Sequence, residues 1–298
     1  MPLVPLTRLL ADARAGGYAV GYFEAWDRYS LEAVVEAAEA ERAPVVLGFG
    51  CLLVDHAWLD GGGIEALGCL GRPVAEKTRV PTCFLLNETH TLEQALRGPE
   101  AGFTAVMMHT DGKSSGESVE QVAALVRAAH ARGVAVEGEL GRLPSATEGE
   151  IDDTQAVLTD PDEAAAFVAA TGVDCLAVSF GNVHLLEGRA APVDLDHLEA
   201  VHRRVDVPLV VHGGTSFPPE AVEAAIARGA VKFNVGTALK RTFLEGLTEA
   251  VEAGSGDLSP HDLLGSHGPH DLLEAGKRRL IPAVRRLIRL YGGSGRAA

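Results

Sequence analysis

Residues able to do chemistry stand in this sequence just past short apolar runs. The plainest case is "VPTCFLLNETHT", residues 80–91, where the stretch from Val80 to Leu86 empties into Asn87, Glu88, Thr89 and His90. The placement recurs at Glu24, at His109, at Glu137 with Glu139, at His184, at His212, and at Asn234 with Thr237. Any one of them has an ordinary explanation, a helix cap or a histidine satisfied under a loop. Recurrence is harder to dismiss, because buried polar groups need partners. Imidazoles and carboxylates gathered in one place suit a divalent metal or an acid/base cluster. Imidazole nitrogens with one carboxylate make a three-ligand set for Zn²⁺ with a fourth position open. Two further stretches, "HGGTS" and "NVGT", add a second chemistry. Gly213, Gly214 and Gly236 leave backbone N–H groups uncovered and Thr237 sets a hydroxyl beside them, the makings of a phosphate site.

These groups are useful only if the chain brings them together. Eight apolar runs read as strands: "YAVGYFE" (18–24), "APVVLGFG" (43–50), "VPTCFLLNE" (80–88), "AVMMHT" (105–110), "VAVEGEL" (134–140), "CLAVSFG" (175–181), "PLVVHGG" (208–214) and "VKFNVGT" (231–237). Amphipathic stretches such as "SLEAVVEAAEAER" and "SVEQVAALVRAAHARG" lie between them. Buried strands alternating with helices, without a linker to divide them, predict an α/β fold, a (β/α)₈ TIM barrel. No G-x-G-x-x-G follows an early strand, which disfavours a doubly wound sheet. The expected organisation is one barrel domain over residues 1–298 with a C-terminal helical extension from about residue 257. A barrel aims the C-terminal ends of its strands into one basin, and the ends of strands seven and eight commonly hold phosphate.

Composition narrows the partners. The 298 residues are 47% hydrophobic and 22% charged, with net charge -15 from 41 acidic against 26 basic residues. That balance argues against nucleic acid or an anionic membrane and leaves a small molecule as the partner. Cys51, Cys69, Cys83 and Cys175 form no C-x-x-C pair, which suits a reduced, cytoplasmic protein. The N-terminal "MPLVPLTRLLADARAGG" has no long apolar stretch and does not read as a signal peptide.

Taken together, "SLEAVVEAAEAERAPVV", "TLEQALRGPEAGFTAVMM", "VAVEGELGRL", "LTDPDEAAAFVAATGVDCLAVSFGNVH", "VPLVVHGGTSFP" and "VKFNVGTALK" resemble the class II, metal-dependent ketose-bisphosphate aldolases, nearly end to end. The resemblance implies a barrel that assembles as a homodimer or homotetramer. It also implies Zn²⁺ (or another divalent transition metal) that chelates dihydroxyacetone phosphate and stabilises an enediolate for addition to an aldehyde. His184 and His212 match two of the family's metal histidines, and Glu139 a glutamate near the metal. Gly213, Gly214, Thr215, Asn234, Gly236 and Thr237 match its stretch for the ketose phosphate.

The departures cluster at the mouth. The family's L-D-H-G reads Leu86, Asn87, Glu88, Thr89 here, so the general acid has become an amide and the third histidine a carboxylate. An amide can hydrogen-bond the aldehyde oxygen but cannot hand it a proton. The acid at the end of strand four is His109, unless a two-residue shift lets Asp111 and Gly112 stand in for it; the F-N of strand one is Phe23-Glu24, and the phosphate-side lysine is Gly188, with Arg189 beside it as a substitute. Ligand types are exchanged rather than lost, which reads as rewiring and not decay. The expected metal set is Glu88, His184 and His212, with His109 and Glu139 as further candidates. Catalytic candidates are Asn87 at the aldehyde oxygen, Glu148 or Glu150 of the acidic loop "PSATEGEIDD" as the base, with Glu148 nearer the matching place, and His90 as a replacement proton donor. The expected activity is reversible aldol cleavage of a phosphorylated ketose. A sugar-phosphate isomerase or epimerase and a non-catalytic phosphosugar-binding relative are the alternatives.

Overall fold

The computed structural model describes residues 3–147, 150–152, 156–254 and 258–297. All eight apolar runs are strands: β1 (Val20–Ala25), β2 (Val45–Gly50), β3 (Thr82–Thr89), β4 (Ala105–Met108), β5 (Ala135–Leu140), β6 (Cys175–Val178), β7 (Leu209–Val211) and β8 (Ala230–Val235). Each pairs in parallel with its neighbours in sequence, and β8 closes on β1 with Tyr22 opposite Asn234. The expected (β/α)₈ barrel is the observed one.

The strands are apolar on both faces because both are covered, as parallel strands flanked by helices require. Phe23, Val45, Leu47, Phe84 and Leu86 pack outward against the helices. Val20, Val46, Cys83, Leu85, Ala105, Cys175 and Val210 point inward, where they meet Leu6, Leu9, Leu10 and Ala13 of an N-terminal helix (Leu6–Gly16). The Val4 N–H donates to the Thr82 carbonyl at 2.9 Å, tying that segment to the start of β3. The helix therefore stoppers the barrel's N-terminal end, and the polar inward residues are left at the other.

Side chains two apart on a strand share a face. Glu137 and Glu139 of β5 and Lys232 and Asn234 of β8 thus all turn inward. At the C-terminal side, a helix over Leu272–Leu290 packs against those over Arg28–Glu41 and Thr237–Glu252. The buried Glu41 carboxylate clamps it, accepting from Arg285 Nε at 2.6 Å, Arg289 Nε at 3.0 Å and the Ser294 hydroxyl at 2.7 Å. The segment after β5, expected to be a loop, contains a short antiparallel hairpin, Ser145–Thr147 with Glu150–Asp152.

Candidate active site

Strand β3 delivers the residues that opened the question. Between Leu86 and Thr89 its register against β4 shifts, and Glu88 within that shift has φ +55°. A left-handed backbone costs a non-glycine residue about 1–2 kcal/mol. A bulge carrying that cost re-aims a side chain, and such strain gathers at functional sites. Here it turns Glu88 into the mouth. His184, beyond β6, is fixed differently: its N–H donates to the Pro144 carbonyl and its carbonyl accepts from Ala146 N–H, both at 2.9 Å. The hairpin segment after β5 therefore sets its position. His212 follows β7 directly, with its ring 5.6 Å from that of His184.

The carboxylate of Glu88 and the ring nitrogens of His184 and His212 offer ligand atoms that all lie within 4.8 Å of one another. His184 Nε2 is buried and has no protein partner. Two histidines and one carboxylate are an acceptable zinc set with a position left open. The residues therefore fit a divalent ion.

Behind them lies a buried polar chain. His212 Nε2 donates to Glu137 Oε1 at 2.9 Å, which directs Nδ1 toward Glu88 and Glu139, each 3.4 Å away. Such an outer carboxylate sets the tautomer and orientation of a ligating imidazole. Glu137 Oε2 in turn accepts from Lys232 Nζ at 2.7 Å, and Nζ also donates to Asn234 Oδ1 at 2.6 Å. Burial lowers the His212 pKa, but hydrogen bonds to Glu137 and Glu88 and the charge of Glu139 outweigh it and push it up. Burial raises the Glu88 carboxyl, and His212, with His184 and His109 behind it, more than reverses that. His184, with fewer carboxylates near, is lowered by burial. The carboxylates that favour a proton on His212 favour a cation in its place.

A cavity of about 330 Å³ opens above this cluster. Asn87, Glu88, His184, His212, Gly213, Thr215, Asn234, Gly236 and Thr237, all expected from sequence, line it. Tyr22 Oη, Asn87 Oδ1 and Asn234 Nδ2 are buried there without protein partners, the state of groups kept for a ligand. Asn87 Nδ2 donates to Glu88 Oε2 at 2.8 Å. Gly213 has φ +71°, and a Cβ there would meet the Val183 carbonyl oxygen at 2.2 Å. Gly236 precedes the 16-residue helix Thr237–Glu252, whose amino end brings partial positive charge to an anion, while its Ala238 N–H donates to the Thr215 hydroxyl at 3.1 Å.

Other expectations take different positions. The Gly214 N–H, expected to be uncovered, donates to the Asn234 carbonyl at 2.9 Å, since the β7 turn folds back on β8. His109 stands outside the lining, its Nδ1 3.3 Å from Glu139 Oε2 and its Nε2 3.4 Å from Asp111. Neither atom of that Nδ1–Oε2 contact makes a hydrogen bond, and His109 is not among the three residues whose ligand atoms converge. His90 stacks on His56 with centroids 3.6 Å apart and places Nε2 3.1 Å from the Val54 carbonyl, while its N–H donates to Gln94 Oε1. It opens the next helix and does not line the cavity. Arg189 is exposed and also outside the lining. Glu148 lies outside the described residues.

The cations that do line the cavity are Lys240 and Arg241. Lys240 Nζ donates to Glu24 Oε1, and Arg241 is bidentate on Glu187, with Nε–Oε1 at 2.9 Å. Burial raises the Glu24 carboxyl and Lys240 partly offsets it. Lys232 was legible in principle: a lysine at the inward position of a buried strand demands a carboxylate, and Glu137 is the inward neighbour of Glu139.

The family profile described as "Fructose-bisphosphate aldolase class-II" matches residues 4–296. The sulfofructosephosphate aldolase of Alkalicoccus urumqiensis is 30% identical over 291 residues, covering 97% of this chain and 96% of that protein. The fructose-bisphosphate aldolase of Geobacillus stearothermophilus is 30% identical over 300 residues, with both chains fully covered. Among solved structures, the YdjI aldolase of Escherichia coli K12 superposes with a TM-score of 0.80 at 25% identity, over 99% of this chain and 100% of that one. Among the described residues no helix is long and apolar enough to cross a membrane.

Proposed function

This chain belongs to the class II fructose-bisphosphate aldolase family and is an aldolase-like carbon–carbon lyase, and we propose that it works on a phosphorylated ketose with Glu88, His184 and His212 holding its divalent ion. The observation that carries the ligand assignment is their convergence within 4.8 Å. Zn²⁺ is the proposed ion because imidazole and carboxylate suit it. When bound, it supplies Lewis-acid polarisation of a carbonyl oxygen.

The protein does the rest. Glu137 holds the His212 ring in place from behind. Gly213, Thr215, Gly236 and Thr237 cradle the phosphate of the donor, proposed to be dihydroxyacetone phosphate, so that remote binding energy orients the reacting carbon. Asn87 hydrogen-bonds the aldehyde oxygen, and Glu148 is the proposed base. Residues 1–298 are proposed to act as one domain, assembled as a homodimer or homotetramer in the cytoplasm.

The test is metal content and turnover together. Protein purified without chelator is expected to carry close to one divalent transition metal per chain and to cleave a phosphorylated ketose. Glu88→Ala, His184→Ala and His212→Ala should each lose the metal. Full occupancy in Glu88→Ala would remove that residue from the ligand set.

A further inference from the structure

The cavity's charges are already matched against one another. Among the described residues its lining contains three carboxylates, Glu24, Glu88 and Glu187, against two cations, Lys240 and Arg241. Lys240 is committed to Glu24, and Arg241 to Glu187 through two hydrogen bonds. Glu24 also lies against the anion cradle itself, since a Cβ on Gly236 would meet its Oε2 at 2.1 Å. One phosphate can sit at the amino end of the 237–252 helix, beside the Thr237 hydroxyl. A second would have to break an Arg–carboxylate pair or face a carboxylate, and like charges held close reject a ligand strongly.

The outer rim is of another kind. Leu52, Leu53, Val54, Leu185 and Leu244 line the cavity, with Leu53 70% and Leu244 59% exposed. Leu53 comes from the loop after β2 and Leu244 from the helix after β8, the two strands that flank β1. Apolar surface brought together at the mouth of a binding cavity gains by being covered.

We propose that the aldehyde partner is unphosphorylated and presents an apolar substituent to the rim formed by Leu53, Val54, Leu185 and Leu244. This rests on the aldolase reading above and names the substrate class for it. The condensation is redox-neutral. The donor carbon gives its proton to the base, its electron pair forms the new bond to the aldehyde carbon, and the aldehyde oxygen takes up a proton. No further reactant is required.

The test uses the metal-loaded full-length protein with dihydroxyacetone phosphate and three kinds of aldehyde: glyceraldehyde 3-phosphate, glyceraldehyde, and straight-chain aldehydes from propanal to hexanal. Exchange of the donor's proton with D₂O is followed in parallel by NMR. Catalytic efficiency should rise roughly twofold to fourfold per added methylene, as expected for partial to full burial of each. Glyceraldehyde 3-phosphate should be at least tenfold poorer than glyceraldehyde. Leu53→Ser with Leu244→Ser, both exposed positions, should flatten the chain-length series. A preference for glyceraldehyde 3-phosphate over glyceraldehyde overturns the inference and leaves the aldolase reading standing, whereas proton exchange with no condensation on any aldehyde overturns both. Loss of both exchange and condensation overturns the two together.

Discussion

Lys232→Met tests the buried chain that supports His212. Lys232 has no solvent exposure and its ammonium makes two short hydrogen bonds, 2.7 Å to Glu137 Oε2 and 2.6 Å to Asn234 Oδ1. Methionine preserves the length and loses the charge, so Glu137 keeps the His212 Nε2–H, at 2.9 Å, and the weak Cys175 thiol donor, at 3.6 Å. Removing one partner of a buried ion pair costs about 3–5 kcal/mol, because the remaining charge is left uncompensated. In a chain of 298 residues that lowers the melting temperature by roughly 5–8 °C. Glu137→Gln in the same background removes the stranded charge and should recover all but about 1–2 kcal/mol. The assay is urea unfolding followed by circular dichroism with a chelator present, so that ion binding to the folded state does not add to the difference. If Lys232→Met lies within about 1 kcal/mol of the parent, or the double variant is no more stable than the single one, the pair does not hold this mouth together.

Gly213→Ala should destabilise by at least about 1–2 kcal/mol from backbone conformation alone, with the Val183 carbonyl forced aside as well; affinity for inorganic phosphate, measured by calorimetry, should fall with it. Asn87→Asp should raise the rate of ketose cleavage by roughly 10²-fold or more if only a proton donor is lacking, and steady-state kinetics on a ketose 1-phosphate checks it; no gain would mean that proton donation at residue 87 is not what limits the reaction. The Glu41 carboxyl is held down at about 2, chiefly by Arg289, with Ser294 and Arg285 adding to it against the opposing effect of burial. A depressed folded-state pKa stabilises above the ordinary carboxylate value and the benefit fades as pH falls through the folded one. Glu41→Gln should therefore lower stability at pH 7 by about 1–3 kcal/mol, and the difference from the parent should shrink between about pH 4.5 and 2 in pH-dependent thermal unfolding.

The barrel was legible because its strands are covered on both faces and so appear as unbroken apolar runs. Glu88, His184 and His212 could be named because each follows such a run, and closure of the sheet does the rest. What stayed hidden was direction and partnership. Glu88 reaches the mouth through a bulge that no pattern of residue types announces. His109 and Glu139 share strand ends with the ligand set, yet pair with each other. Arg189 carries the right charge one residue past Gly188 and turns outward, whereas Lys240 and Arg241, on the helix after β8, take the rim. His90 stands two residues beyond Glu88 in sequence and belongs to the start of the next helix.

The helix over Leu6–Gly16 has a consequence for traffic. With the lower end of the barrel filled, the metal and the sugar must come and go by the same doorway. On the proposed function, an ion on Glu88, His184 and His212 would sit at the base of the cavity beneath a bound ketose, so loading would have an order: metal first, then ketose, and departure in reverse. A bound sugar therefore acts as a lid on the ion, and a chelator should strip the protein far more slowly when ketose is present than when it is absent.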